Sequence, residues 1–302
     1  MIIKKQTLLF VILYFLILCP LILLGLITRS NGKMRINGQT RRYVLYKPDS
    51  YDANQPTALV MSLHGFADWP MHHMRVTGWN RIADQEGFIV VYPMGTGFPL
   101  RWNAHSEIEE DGSPNKDIIF LQALIAEMQD SYNIDPHRVF VNGLSNGAGM
   151  SNLLACSLGS QIGAVGGVAG AYLLPWEACA TNDPIPVMLF HGSEDPIVPY
   201  EGGTSSRTGM AFPFIPEHAA RWASHNGCNE NATEAGVSAH VSRISYTNCD
   251  ENAEVVMYTI ENGGHSWPGG CCLPEWIVGN TTDEINASRV IWEFYQSQIK
   301  AN

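Results

Sequence analysis

Apolar residues along this chain form short runs that are bounded by glycine, proline or polar residues. The runs fall at residues 58–63, 88–92, 139–141, 164–169, 186–190 and 255–260. Runs of this length and composition are typical of strands that are buried on both faces of a sheet. The pattern therefore predicts a series of buried strands spread over the whole chain.

Longer segments with apolar residues at helical spacing separate these runs. In residues 117–131, for example, Leu121, Leu124 and Met128 fall on one helical face. Near the start, Asn37-Gly38 lies between two strand-like segments and predicts a hairpin. Strands that alternate with helices predict one α/β domain, in which a mostly parallel sheet carries helices on both faces. Further helices are predicted over residues 74–86, 217–226 and 284–298.

The N-terminal segment differs from the rest of the chain. Residues 7–27 are uncharged and strongly apolar, and they follow Lys4 and Lys5. The segment is long enough to span a bilayer, and no A-x-A-like cleavage site follows it. An uncleaved membrane anchor and an uncommon signal peptide both fit this pattern. Either one places the remainder outside the cytosol, so we expect an anchor or signal in residues 1–30 and a catalytic domain in residues 31–302.

The cysteine pattern agrees with export from the cytosol. An even number of cysteines follows the apolar segment once Cys19 is set aside, and even numbers in exported chains favour disulfides. Short sequence separation predicts two bridges, each of which contributes about 3 kcal/mol on a chain-entropy model. Adjacent Cys271 and Cys272 form a vicinal bridge or stay free; the sequence leaves both open. The predicted pairs are Cys156–Cys179 and Cys228–Cys249.

Charge and ligand spacing exclude several classes of partner. The formal net charge is −11 and the isoelectric point is near 5.3, with Lys and Arg scattered along the chain, which argues against a nucleic-acid partner. The cysteines and histidines lack the spacing of a zinc site, so no metal is predicted.

The residues Gly143 to Gly147 fit the pattern G-x-S-x-G, with Ser145 at its centre. An apolar strand-like run precedes them, and small and apolar residues at helical spacing follow. Strand, sharp turn and helix is the context of a nucleophile elbow, in which the turn exposes the serine hydroxyl at the edge of the sheet. Ser145 is therefore the candidate nucleophile.

Candidates for the remaining catalytic groups follow in the order that this fold requires, which is serine, then acid, then histidine. Glu194 and Asp195 come just after the strand at 186–190, where an orienting carboxylate belongs. His265 lies on a glycine-rich loop after the late strand at 255–260. Ten histidines occur in the chain, and His265 is the one placed to reach Ser145.

Attack of a serine on a carbonyl carbon also needs N–H donors for the negative charge that develops on the carbonyl oxygen. The backbone N–H of Asn146, directly after the nucleophile, is one expected donor. The second is expected from the loop after the strand at 58–63, where Gly65 permits a close backbone approach and Phe66 supplies the N–H. His64 is expected to brace this loop by hydrogen bonding.

Several separate motifs of this chain resemble those of polyhydroxybutyrate depolymerase-like esterases, which are close to the feruloyl and acetylxylan esterases of carbohydrate esterase family 1. The motifs are residues 63–65 (LHG), 78–80 (GWN), 91–93 (VYP), 102–104 (WNA), 143–148 (GLSNGA), 191–200 (HGSEDPIVPY) and 264–269 (GHSWPG). They occur in family order, and the resemblance covers about residues 34–300.

The resemblance implies an α/β-hydrolase fold, an extracytoplasmic location and hydrolysis of carboxylic esters without a cofactor. It favours Asp195 over Glu194, because Asp195 directly precedes residues 196–200, which match the family. The catalytic residues carried over are then Ser145, Asp195 and His265. Trp267 and Trp102 are expected to line the acyl or aromatic pocket, with core packing as the alternative. Family members have a cysteine pair where this chain has residues 105–107 (HSE), so substrate contacts do not transfer to that loop.

Three functions fit these observations. The first is an exported or anchored serine esterase acting on short hydroxyalkanoate, hydroxycinnamoyl or acetyl esters, present as small molecules, oligomers or polysaccharide-linked groups. The second is a serine peptidase of the same fold, and the third is a catalytically silent surface binding module, which an intact triad disfavours. Membrane contact is expected only through the N-terminal segment. Because the chain ends directly after its last predicted helix, soluble or short-chain esters are expected to be better substrates than crystalline polymer.

Overall fold

The computed structural model describes residues 29–299. The apolar segment at 7–27 lies outside the described residues. Among residues 29–299 there is no helix long and apolar enough to cross a membrane.

Strands and helices alternate along the described chain. The strands are β1 (Gly32–Ile36), β2 (Gln39–Tyr46), β3 (Thr57–Leu63), β4 (Ile89–Pro93), β5 (Ile134–Leu144), β6 (Ala164–Val168), β7 (Val187–Gly192), β8 (Gly203–Thr204), β9 (Ala211–Phe212), β10 (Thr233–Gly236), β11 (Val241–Tyr246) and β12 (Val255–Ile260). The helices are α1 (Pro70–Thr77), α2 (Trp79–Glu86), α3 (Lys116–Ser131), α4 (Asn146–Leu158), α5 (Ile215–His225), α6 (Glu275–Val278) and α7 (Ala287–Ser297).

Within the described residues, one large sheet has the strand order β1-β2-β4-β3-β5-β6-β7-β12-β11-β10. The central strands β4, β3, β5, β6, β7 and β12 pair in parallel. Antiparallel pairs close both edges of the sheet. The carboxyl ends of the central strands therefore meet at one edge, which is where open α/β sheets place their sites.

The alternation of side chains along β3 shows how the sheet is covered. Leu59 and Met61 pack into one core cluster, whereas Ala58 and Val60 pack into the other. Successive side chains of a strand point to opposite faces, so the two clusters lie on opposite faces of the sheet. Helices α3, α4 and α5 supply one cluster, and helices α1, α2 and α7 supply the other. The α/β-hydrolase architecture expected from the sequence is thus confirmed.

The observed elements differ from the sequence prediction at several places. The single helix predicted over residues 74–86 is two helices, because Gly78 adopts a left-handed conformation (φ 65°) and caps α1 with a hydrogen bond to the Met74 carbonyl. Strands β10 and β11 were not predicted. Their outer position leaves most of their side chains exposed or half-buried, so they lack the apolar runs that marked the central strands.

Disulfides join Cys156 to Cys179 and Cys228 to Cys249, as the sequence predicted. The first ties the end of α4 to the loop after β6, and the second ties the end of α5 to the segment before β12. A third disulfide joins Cys271 to Cys272, which decides the alternative that the sequence left open. Every cysteine of the described chain is therefore in a disulfide.

Candidate active site

Ser145 occupies a sharp turn between β5 and α4. Its backbone has φ 56° and ψ −117°, a conformation that non-glycine residues rarely adopt and that recurs at functional sites. The Ser145 N–H donates to the Val168 carbonyl of β6 at 2.9 Å, which holds the turn against the sheet. A side chain at Gly143 would collide with the Gly147 backbone, and one at Gly147 would collide with the Leu63 carbonyl. These close contacts explain why the turn requires glycine on both sides of the serine.

Asp195 follows β7, and its carboxylate is inaccessible to solvent. Oδ1 accepts the backbone N–H groups of Ile197 and Val198, each at 2.8 Å. Oδ2 accepts a hydrogen bond from Nδ1 of His265 at 2.7 Å and lies 3.3 Å from Nε2 of His191. Burial by itself raises the pKa of the Asp195 carboxyl, but its interactions with His265 and His191 outweigh burial and hold the pKa well below its usual range. The carboxylate is therefore ionised at neutral pH.

His265 lies on the loop after β12, and its backbone N–H donates to the Val278 carbonyl of α6. Donation from Nδ1 to Asp195 fixes the tautomer, so Nε2 is left to accept a proton. Within residues 29–299 no hydrogen bond joins His265 to the Ser145 hydroxyl; catalytic hydrogen bonds in free hydrolases commonly tighten only when substrate binds. The structure thus brings Asp195 and His265 into contact, and it places all three predicted residues after parallel strands of one sheet edge.

Phe66 lies on the loop after β3, next to the elbow. A Cβ added to Gly65 would lie 3.6 Å from Cβ of Ser145, so this loop approaches the serine closely. Within the described chain, the backbone N–H groups of Phe66 and Asn146 donate to no protein acceptor. Two free N–H donors beside a serine hydroxyl can bind a negatively charged oxygen.

His64 braces the loop, as the sequence predicted. The Gly95 N–H donates to Nε2 of His64 at 2.9 Å, and Nδ1 donates to the Gly65 carbonyl at 2.8 Å. Burial lowers the pKa of the His64 imidazole, which favours the neutral ring that this pair of bonds requires. No group of three or more His, Cys, Asp or Glu side chains within residues 29–299 is arranged to hold a metal ion.

Comparison with known proteins identifies the family. A family model described as "Esterase PHB depolymerase" matches residues 41–237. The chain belongs to this family. It is a carboxylic-ester hydrolase.

Curated relatives of this esterase cover most of its length. Feruloyl esterase C of Emericella nidulans is 28% identical over 279 residues, which cover 89% of this chain and 88% of that protein. The putative esterase NocK of Nocardia uniformis is 29% identical over 287 residues, covering 88% and 82% of the two chains. Probable feruloyl esterase C of Aspergillus niger is 28% identical over 244 residues, covering 79% and 80%.

Solved structures support the fold of the esterase. An acetyl xylan esterase from Aspergillus awamori superposes with a TM-score of 0.60 at 15% identity, covering 78% of this chain and 93% of that chain. An S-formylglutathione hydrolase from Agrobacterium tumefaciens superposes with a TM-score of 0.55 at 11% identity, covering 89% and 94%. At these identities the likeness is one of fold.

The two tryptophans that were expected to line a substrate pocket are buried instead. Trp102 is 2% exposed and Trp267 is 1% exposed. The Trp267 indole donates to the Ser288 hydroxyl at 3.0 Å, and its ring packs edge-on against His73. Because neither ring has an accessible face, the expectation of a substrate wall was wrong. Core packing, the alternative left open by the sequence, is what both rings do.

Two contacts of the esterase site were not predicted from the sequence. His191, at the end of β7, directs Nε2 toward both the Val198 carbonyl and Asp195. In the sequence, the position of His191 four residues before Asp195 was the feature that could have indicated this contact. The Asn146 side chain pairs with the backbone of Trp102, and nothing in the sequence indicates that pairing, because the two residues are 44 positions apart.

Proposed function

We propose that this protein is a serine esterase in which Ser145, His265 and Asp195 form the catalytic triad. The observation that carries the proposal is the 2.7 Å hydrogen bond from His265 to Asp195, at the sheet edge where the elbow presents Ser145. An ionised carboxylate that orients a histidine, at the same sheet edge as an elbow serine, has the roles that acyl transfer requires.

The mechanism follows from these positions. Nε2 of His265 accepts the Ser145 proton while Oγ forms a bond to the ester carbonyl carbon. The resulting oxyanion binds the backbone N–H groups of Phe66 and Asn146. When the carbon–oxygen bond to the alcohol breaks, His265 returns the proton to the leaving alcohol and an acyl-enzyme forms. His265 then takes a proton from water, whose oxygen attacks the acyl carbon. As the bond between this carbon and Oγ breaks, His265 gives the proton to Oγ, so Ser145 is regenerated and the acid departs.

The proposed substrates are short hydroxyalkanoate, hydroxycinnamoyl and acetyl esters. The name of the matching family refers to polyhydroxybutyrate, and several relatives are named feruloyl esterases. These names support the choice of acyl groups to compare.

A panel of soluble esters tests the proposal. Wild-type protein should hydrolyse p-nitrophenyl acetate, methyl ferulate or hydroxybutyrate oligomers, and Ser145→Ala should lose more than about 99.9% of that activity with an unchanged thermal transition. Full activity in Ser145→Ala would show that the serine is misassigned. A peptidase would cleave unactivated peptide bonds, which an esterase leaves intact, and a silent binding module would fail to react with a fluorophosphonate.

We further propose that residues 1–30 export or anchor the catalytic domain, residues 31–302, outside the cytosol. The disulfides within the domain support this location, since such bonds persist in oxidising compartments. Fractionation of cells that express the full chain tests the proposal. The mature protein should appear in the membrane or extracytoplasmic fraction, and a chain beginning at Asn31 should be soluble and active. Recovery of the intact protein from the cytosol would contradict it.

A further inference from the structure

A continuous chain of hydrogen bonds joins the two proposed oxyanion donors, and Trp102 lies at its centre. The Trp102 backbone N–H donates to Oδ1 of Asn146 at 2.7 Å, and Nδ2 of Asn146 donates to the Trp102 carbonyl at 3.1 Å. Two bonds of opposite direction between one amide side chain and one backbone residue restrain the side-chain torsions of Asn146. The first residue of α4 is thereby attached to Trp102.

The Trp102 side chain extends the connection to the second donor. Its indole N–H donates to the His64 carbonyl at 2.9 Å, and the ring centroid lies 5.1 Å from the imidazole of His64. His64 is fully buried, and its Nδ1 donates to the Gly65 carbonyl. Backbone and side chain of His64 are thus both held by specific partners.

Through the peptide unit between Gly65 and Phe66, this restraint also determines the direction of the Phe66 N–H. The carbonyl of Gly65 and the N–H of Phe66 belong to one planar trans unit and point to opposite sides. Donors from His64 at 2.8 Å and from the Asp68 backbone at 3.3 Å hold the Gly65 carbonyl. The direction of the Phe66 N–H is fixed as a result.

We propose that Trp102 is a positioning residue that sets the relative placement of the Phe66 and Asn146 N–H groups. This role rests on the proposed esterase mechanism. Donors that are placed in advance stabilise the charge of the transition state, whereas an ester in its ground state gains little from them. Loss of the link should therefore lower kcat and leave KM nearly unchanged. Trp102 is buried, so its effect cannot arise from a lost contact with substrate.

Trp102→Phe tests the proposal, because it keeps a buried aromatic ring and removes the indole donor. Asn146→Ala removes both bonds to the Trp102 backbone and keeps the N–H of residue 146, so it carries the test if Trp102→Phe does not fold. Trp222→Phe is the matched control. Trp222 is equally buried and donates its indole N–H to Asn152 at 2.8 Å, outside this chain of bonds.

The measurements are kcat and KM on a soluble p-nitrophenyl ester, together with Ki for a trifluoromethyl ketone and for the corresponding methyl ketone. The trifluoromethyl ketone forms a tetrahedral oxyanion with the serine, and the methyl ketone resembles the ground state. In Trp102→Phe and Asn146→Ala we expect kcat to fall by about 10- to 100-fold, with KM within about twofold. Ki for the trifluoromethyl ketone should rise in parallel, while Ki for the methyl ketone stays constant.

Equal kinetic behaviour of Trp102→Phe, Asn146→Ala and Trp222→Phe would overturn the positioning role, as would an effect confined to KM. Failure of the proposed function looks different. In that case Ser145→Ala would hydrolyse the ester and bind the trifluoromethyl ketone as wild type does, and both proposals would fall.

Discussion

The imidazole of His265 donates from Nδ1 to Oδ2 of Asp195 at 2.7 Å, across 70 residues of sequence. The two residues follow β12 and β7, which are neighbouring parallel strands. Their contact is thus a consequence of strand order, and it engages Nδ1 of His265 while leaving Nε2 free of Asp195.

Asp195→Asn is expected to lower kcat by about 10³- to 10⁴-fold, with KM little changed, because an amide neither holds the histidine tautomer nor stabilises the imidazolium. Steady-state kinetics on a soluble ester measure the effect. Glu194→Gln is the matched control, since Glu194 is the adjacent acid and is exposed. Activity that falls in Glu194→Gln and survives in Asp195→Asn would reverse the assignment.

Gly147→Ala is expected to destabilise the protein by at least about 3 kcal/mol. The added methyl group would collide with the carbonyls of Leu63 and His64, which are backbone atoms that cannot move aside. Gly236→Ala should change stability by less than about 0.5 kcal/mol, because nothing lies within 4 Å of its added Cβ. Chemical denaturation compares the two, and a stable Gly147→Ala would contradict the close packing of the elbow.

Removal of the disulfide between Cys228 and Cys249 by alanine at both positions should lower the free energy of unfolding by about 3 kcal/mol. This bridge spans 21 residues and therefore restrains the unfolded chain. The Cys271→Ala, Cys272→Ala pair is the control, because that bridge spans one residue and closes almost no loop. Equal losses in the two double variants, measured by guanidinium denaturation, would refute the loop-entropy argument.

The protein should lose stability as the pH falls below 6.5. Burial lowers the pKa of His73 and of His218 from 6.5 to about 3, so between these values the unfolded chain binds protons that the folded chain excludes. The pKa of His72 is raised, chiefly by its hydrogen bond to Asp68, and opposes part of this loss. We expect the free energy of unfolding to be about 3 kcal/mol lower at pH 5 than at pH 7.

Denaturation at the two pH values measures this difference. His218→Gln removes one of the buried titrating groups and should reduce the pH dependence. An equal pH dependence in wild type and His218→Gln would show that His218 binds a proton equally well in the folded protein and in the unfolded chain.

Much of this protein was determined by the sequence alone. Strands buried on both faces need continuous apolar runs, so the sequence predicted the central strands β3, β4, β5, β6, β7 and β12. The elbow was readable because its backbone conformation and close contacts restrict the residues that fit at 143 and 147. Chain order then predicted His265 and an acid at 194 or 195, since acid and histidine follow the serine in this fold, and the family resemblance favoured Asp195.

Only the tertiary structure decided how the buried aromatic and polar groups are used. From the sequence alone, a tryptophan fits a substrate pocket as well as a hydrophobic core. In the structure Trp102 and Trp267 are buried and belong to the core. The contacts of His191 with Asp195 and of Asn146 with Trp102 depend on which loops meet at the sheet edge. The exposed strands β10 and β11 were likewise set by packing, because local propensity is weak where a strand is short or exposed to solvent.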